Sequence, residues 1–216
     1  MHPPIIIYFH ICQNGPWQIP FDMIMSSIKS SGLYNDCIEI RVGIVNDAGY
    51  IMPDDRFNDG KIKIVAHGPS SLYERLTLNH MWNYSKTDNC QYLYVHSKGL
   101  SHFAGNDEHK KNCVSDWIKL LIEWNINHWR TATNKLMSND VYGCEICNNP
   151  CYHYSGNFWW ANSHYIRTLP GEIGGGYCDP EFWLFKRESI IWCNIFSSGL
   201  AGGNSYFHRF IKGVHY

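Results

Sequence analysis

The chain has 216 residues, 44% hydrophobic and 17% charged, enough apolar content to bury one sizeable core and too little charge for intrinsic disorder. Eighteen Lys and Arg against nineteen Asp and Glu leave a formal net charge of -1. That excludes a global field for nucleic acid or an anionic membrane, so any anion must be bound locally. The longest apolar run, Ile5 to Phe9, is far short of the roughly 18 residues that span a bilayer, and no signal-like segment precedes it. Nine scattered cysteines, an odd number, fit a reducing compartment. A soluble, cytoplasmic chain is expected.

In chain order, Ile5 to Phe9 reads as a strand, and Pro20 to Ser30, with Phe21, Ile24, Met25 and Ile28 on one face, as a helix stopped by Gly32. Ile38 to Val45 alternates as a second strand before a polar loop from Asn46 to Gly60. Lys61 to Ala66 is a third strand. Ser71 and Glu74 then have the spacing of a capping box, which predicts a helix to about Ser85. Gln91 to Val95 is a fourth strand, running into the polar turn His96-Ser97-Lys98-Gly99.

After a polar stretch from Leu100 to Asn112, the apolar positions Trp117, Ile118, Leu121, Ile122, Trp124 and Trp129 predict an amphipathic helix from about Ser115 to Thr133. Short strands follow at Val141 to Cys144, Asn157 to Ala161 and Ile190 to Ile195. Repeated strand-helix units predict a single α/β domain, with a mainly parallel, mixed central sheet and helices on both faces. The turn after the first strand, His10 to Gly15, lacks the spaced glycines of a dinucleotide fold, and no P-loop is present.

Three constellations carry candidate chemistry. His96, Ser97 and Lys98 bring an imidazole, a hydroxyl and a cation to a strand end, which suits a phosphate or diphosphate, although a solvated glycine turn is the plainer reading. His153 to Asn162 mixes His153, Ser155 and Asn157 with Phe158, Trp159 and Trp160. Alternation would put Asn157 and Trp159 on a sugar-binding cleft, against an ordinary aromatic core strand. Cys178-Asp179-Pro180-Glu181-Phe182-Trp183 opens a short helix. There Asp179 is a natural N-cap and Glu181, among aromatics, is the preferred general base.

Weaker signals complete the set. Cys144, Cys147, Cys151 and His153 are enough ligands for zinc but lack the usual second pair. Asp54-Asp55 and Asp107-Glu108 suit a hard cation or, more simply, solvent. A basic C-terminal segment with His208, Arg209, Lys212 and His215 follows the stretch 197–203, as a lid over an anion or a frayed end.

Together the stretches Ser30 to Tyr34, Tyr73 to Leu78, Tyr94 to Gly99, His153 to Trp160, Tyr165 to Pro170, Pro180 to Trp183 and His215-Tyr216 resemble the small GT-A-type glycosyltransferase domains of large algal viruses and bacteria, distantly similar to rhamnan-synthesis proteins. The resemblance implies a nucleotide-sugar-binding half, roughly residues 1–100, and an acceptor-binding half, roughly 101–216. It implies hexosyl transfer from a nucleotide diphosphate sugar, such as a UDP-sugar, to a glycan hydroxyl, and leaves room for a glycosyltransferase domain fused to this one or acting with it.

GT-A enzymes typically carry an Asp-x-Asp metal motif after the strand that here ends at Val95, and this chain has His96-Ser97-Lys98 instead. The diphosphate is therefore assigned to His96, Ser97 and Lys98, with His215 as a further ligand of diphosphate or of Mn²⁺ or Mg²⁺. Tyr8, His10 and Cys12 are expected to border the nucleotide. His153, Ser155, Asn157, Trp159 and Trp160 are expected to bind sugar or acceptor, and Glu181 to be the base of an inverting transfer with Asp179 in reserve. A non-catalytic carbohydrate-binding module and a glycan hydrolase are the competing readings.

Overall fold

The computed structural model describes residues 3–200 and 203–216. Residues 201 and 202, inside the glycine-containing stretch before the C-terminal segment, lie outside the described residues. The strands in chain order are β1 (Ile5–Cys12), β2 (Cys37–Val45), β3 (Ile62–Gly68), β4 (Gln91–His96), β5 (Val141–Gly143), β6 (Ile146–Cys147), β7 (His153–Tyr154), β8 (Trp159–Asn162) and β9 (Trp192–Asn194). Seven form one mixed sheet in the order β3-β2-β1-β4-β8-β5-β9, and β6 pairs with β7 alone. The first four are mutually parallel, and β8 runs antiparallel between β4 and β5.

Alternation along β1 sorts its side chains to two faces, as period-two geometry requires. Ile5, Ile7, Phe9 and Ile11 meet Phe21 and Ile24 of α1 (Gln18–Ser30) in one core. After the four-residue α2 (Leu33–Asp36), α3 (Arg75–Ser85) covers the other face, where its Leu78 and Met81 meet Ile6 and Tyr8. The short α4 (Leu100–Ala104) precedes α5 (Glu108–Ile122), whose Trp117, Ile118 and Leu121 join the first core, and α6 (Trp129–Lys135) follows. Tyr165 of α7 (Ser163–Ile166) and Trp183 of α8 (Asp179–Trp183) complete the second. No helix among the described residues is long and apolar enough to cross a membrane.

Two element predictions change. The helix expected from Ser115 starts at Glu108, capped by the Asp107 side chain on the Lys110 N–H, and a π-helical turn over Glu123–Asn127 separates α5 from α6. Its first turn carries polar residues, so no apolar period marked it. The expected capping box does not form. Ser70–Leu72 make a separate 3₁₀ turn, Tyr73 takes φ 47° and ψ -142°, and α3 begins only at Arg75. Glu74 precedes the helix without capping it, and its carboxylate is used elsewhere.

The strand order decides where a ligand fits. From β1 the chain steps to β2 and β3 on one side, then returns to β4 on the other. β1 and β4 therefore flank a topological switch point, whose carboxyl-end crevice is where open α/β sheets hold ligands.

Candidate active site

A cleft of about 340 Å³ opens at that crevice. His10 and His96 are register neighbours across β1 and β4. The Ser97 N–H donates to the His10 carbonyl (2.8 Å), and the Cys12 N–H donates to Ser97 Oγ (3.0 Å). These bonds stitch the two strand ends together. They also leave the Ser97 hydroxyl proton to donate.

Gly99, next along, takes φ 79°, and a Cβ there would lie 2.3 Å from Val114. Only glycine lets the chain turn against α5 at this point. The turn sends the Lys98 side chain inward, 4% exposed, with Nζ 4.1 Å from the centre of the Trp117 ring and 5.5 Å from that of Tyr206. Among the described residues no carboxylate is ion-paired with it. Burial pulls the ammonium pKa down, but Tyr206, Glu181 and Glu74 outweigh that, and the net shift is upward. Lys98 is a buried cation held charged by ring faces and by carboxylates beyond contact distance, an arrangement that favours an incoming anion.

Glu74 reaches the cleft from the loop before α3. Its Oε2 accepts from the Tyr94 hydroxyl (2.8 Å) and, in a short bond, from Asn157 Nδ2, while Oε1 lies 3.4 Å from His96 Nδ1. His96 Nε2 donates to the Gly156 carbonyl (3.0 Å). Burial, with Lys98 adding to it, pushes the His96 pKa down to about 3, so His96 lines the cleft as a neutral imidazole and not as the cation expected for a diphosphate. His10, bonded to Thr77 Oγ1 (2.8 Å), is likewise lowered to about 4 by burial. Glu181, on the first turn of α8, lines the same cleft, half-buried.

Of the residues singled out from sequence, His10, Cys12, His96, Ser97, Lys98 and Glu181 converge here. The others do not line the cleft. Tyr8, two residues down the strand from His10, is fully buried and takes a hydrogen bond from Arg41 (2.8 Å). Asp179 accepts from the Gly176 N–H (2.7 Å), so its carboxylate ties down the Gly174–Gly176 loop. His153, on β7, bonds the Cys151 carbonyl and packs on Phe182.

Ser155 is buried in the turn before β8, its N–H on the Glu145 carbonyl. Trp159 and Trp160 face the two opposite cores and donate to Asn157 Oδ1 and the Asn125 carbonyl. Helices cover both faces of β8, so alternation separates two cores and not a core from a cleft. Asn157, at φ 53°, acts from behind by holding Glu74. His215 is exposed in a C-terminal turn, accepting from the Ile211 N–H. From the C-terminal segment it is Tyr206 that enters the cleft.

Sequence reasoning missed Tyr73, Glu74, Tyr177 and Tyr206. Glu74 carried a helix-cap signal, it and Tyr73 stood in a stretch that carries the family resemblance, and Tyr177 and Tyr206 carried no signal.

The donor set does not fit a divalent cation. Two carboxylates reach the cleft, Glu74 already engaged by Tyr94, Asn157 and His96, and the Lys98 ammonium stands beside them. Among the described residues no three His, Cys, Asp or Glu side chains converge on one point, the Cys144 to His153 set included. Asp54 and Asp107 serve as caps, on Arg56 and Lys110.

A family model for a domain of unknown function, DUF8361, matches residues 46–171, more than half of the chain. The chain belongs to this family. The matched span contains Glu74 and the His96 to Lys98 turn and ends before Tyr177 and Glu181. No curated protein matches the sequence. Among solved structures, the DUF8361 domain superposes on a 4-diphosphocytidyl-2C-methyl-D-erythritol synthase from Anaerococcus prevotii at a TM-score of 0.50 and 9% identity, covering 97% of this chain and 94% of that one.

HddC from Yersinia pseudotuberculosis gives 0.47 at 9% identity, with 91% of each chain covered. The galactosyltransferase LgtC in complex with donor and acceptor sugar analogs gives 0.41 at 12%, over 86% of this chain and 67% of that one. The synthase shares the fold of the domain, a mixed α/β sheet with helices on both faces.

Proposed function

We propose that this domain is a glycosyltransferase that moves a hexosyl group from a nucleoside diphosphate sugar to a glycan hydroxyl. The observation that carries the reading is Lys98, a buried ammonium without a paired carboxylate, set at the carboxyl-end crevice beside the Ser97 hydroxyl. A departing diphosphate needs that kind of preorganised positive charge. In the proposed step the acceptor oxygen bonds to the anomeric carbon as its proton passes to the Glu181 carboxylate. The bond from that carbon to the diphosphate oxygen breaks, and its electron pair leaves with the diphosphate, stabilised by Lys98 and Ser97. His10 and Cys12, on β1, border the nucleotide side, and the C-terminal half supplies Glu181 and the acceptor side.

The test is incubation with UDP-, GDP- and dTDP-hexoses and an oligosaccharide, following release of nucleoside diphosphate and growth of the glycan. Glu181→Gln is expected to lose turnover by about 10²- to 10⁴-fold and to keep the thermal shift given by the nucleoside diphosphate. Release of inorganic diphosphate from a nucleoside triphosphate would instead indicate nucleotidyl transfer, the reaction type suggested by the synthase's name. Glycan binding that Glu181→Gln leaves intact, with no nucleotide shift in the parent protein, would indicate a binding module.

A further inference from the structure

The aromatic block on β8 is core, so the exposed rings that line the cleft must be sought elsewhere. They are Tyr73, 40% exposed, and Tyr177, 72% exposed, with ring centres 5.1 Å apart and planes at 90°. Isolated exposed tyrosines are ordinary on a protein surface, but this pair is built into place. Tyr73 sits at φ 47°, a backbone conformation that disfavours any side chain beyond glycine.

Arg75 locks the arrangement. Its guanidinium lies 5.2 Å from the centre of the Tyr73 ring, and it donates to the carbonyls of Ser71, Gly174 and Gly176. The Gly176 N–H in turn donates to Asp179 (2.7 Å). The loop that carries Tyr177 is thereby tethered to the turn that carries Tyr73. Glu181 follows on the helix that this loop enters, so the two rings and the carboxylate form one unit.

We propose that Tyr73 and Tyr177 form the acceptor subsite, a stacking corner for a pyranose ring whose hydroxyl is presented to Glu181. This rests on the transferase reading above. A pyranose suits the corner because its C–H face packs on one ring while its hydroxyls reach the tyrosine O–H groups and the carboxylate. The ligand beside the base is by its chemistry the acceptor, which sets this end of the cleft apart from the β1 end at Cys12 and Asn14.

The experiment places 3-fluorotyrosine at position 177 of the full chain and titrates methyl glycosides of glucose, galactose, mannose and rhamnose, with and without UDP, GDP or dTDP. At least one glycoside is expected to move the position-177 fluorine resonance. Tyr73→Gly, which suits the backbone and removes a ring, is expected to weaken that glycoside by about fivefold while nucleotide-induced thermal shifts stay unchanged.

A fluorine signal unmoved by every glycoside overturns the proposal. So does a Tyr73→Gly variant that loses nucleotide affinity, since the corner would then hold the nucleobase. If glycosides move the signal but no nucleotide shifts the melting temperature, the subsite stands and the transferase reading falls.

Discussion

Glu74 and His96 face each other with Oε1 3.4 Å from Nδ1, while His96 Nε2 is committed to the Gly156 carbonyl. A carbonyl only accepts, so the Nε2 of the ring carries its proton, and the neutral imidazole turns a lone pair toward a carboxyl oxygen. The 3.4 Å approach is therefore not a hydrogen bond of the neutral ring. Glu74 is held instead by the Tyr94 hydroxyl and the Asn157 amide, both of which donate to its Oε2.

Glu74→Gln keeps the shape of the side chain, since its amide oxygen can accept from Tyr94 and Asn157 and its NH₂ can donate to His96 Nδ1. The variant is expected to melt within a degree or two of the parent protein. Glu74→Ala leaves the Tyr94 hydroxyl and the Asn157 amide without their acceptor and should lose about 2–3 kcal/mol. Chemical denaturation of both variants checks this. A Gln variant as unstable as the Ala variant would mean that the carboxylate charge itself is required, with His96 as imidazolium.

Lys98→Met removes a buried charge but keeps a side chain to lie on Trp117. Stability should fall modestly, because Tyr206, Glu181 and Glu74 favour the ammonium in the folded cleft, while the thermal shift with nucleoside diphosphates should disappear. A variant that still shifts with nucleotide to the same extent would remove Lys98 from the diphosphate site.

Buried His10 and His96 contribute to a pH signature, alongside half-buried His80, also lowered to about 4 by burial. His10 at about 4 and His96 at about 3 stay neutral in the folded protein where their unfolded counterparts, near 6.5, take up protons. The unfolded chain then binds more protons, so stability is fully present above pH 6.5 and falls as the pH drops toward 4. The slope is about 1.4 kcal/mol per pH unit for each such histidine. Urea denaturation between pH 7.5 and 5 measures it. His10→Asn should flatten the curve by about one histidine's share, and an unchanged slope would show that His10 does not stay neutral.

Chelation offers a further check on the cleft. The Lys98 ammonium stands where a metal-dependent site would gather carboxylates, so EDTA is expected to leave the nucleotide-induced thermal shift in place. A shift that vanishes with EDTA and returns with Mn²⁺ would show that the nucleotide's own phosphates bring a metal that the side chains alone do not hold.

The α/β architecture was legible because strand and helix periods are local. The runs Ile5 to Phe9, Ile38 to Val45, Lys61 to Ala66 and Gln91 to Val95 each signalled a strand in place, and the turn at His96 to Lys98 followed from where the last one ends. The α5 start at Glu108 was hidden by a polar first turn. Glu74 was legible as a cap and within a stretch that carries the family resemblance, but not in its role, which depends on Tyr94 and Asn157, 20 and 83 positions away.

By itself the sequence determined the element types, the placement of a cation and a hydroxyl at a strand end, and a carboxylate on a short helix opened by Pro180. Only the tertiary structure decided the strand order that makes β1 and β4 a ligand crevice, and the burial of Trp159 and Trp160 in two separate cores. It also decided the meeting of Tyr73, Glu74, Tyr177 and Glu181 around Lys98. The physical reason is range. Hydrophobic periodicity is written over neighbouring residues, whereas which face of a strand meets water, and which distant carboxylate meets which imidazole, depends on how the helices close over both sides of the sheet.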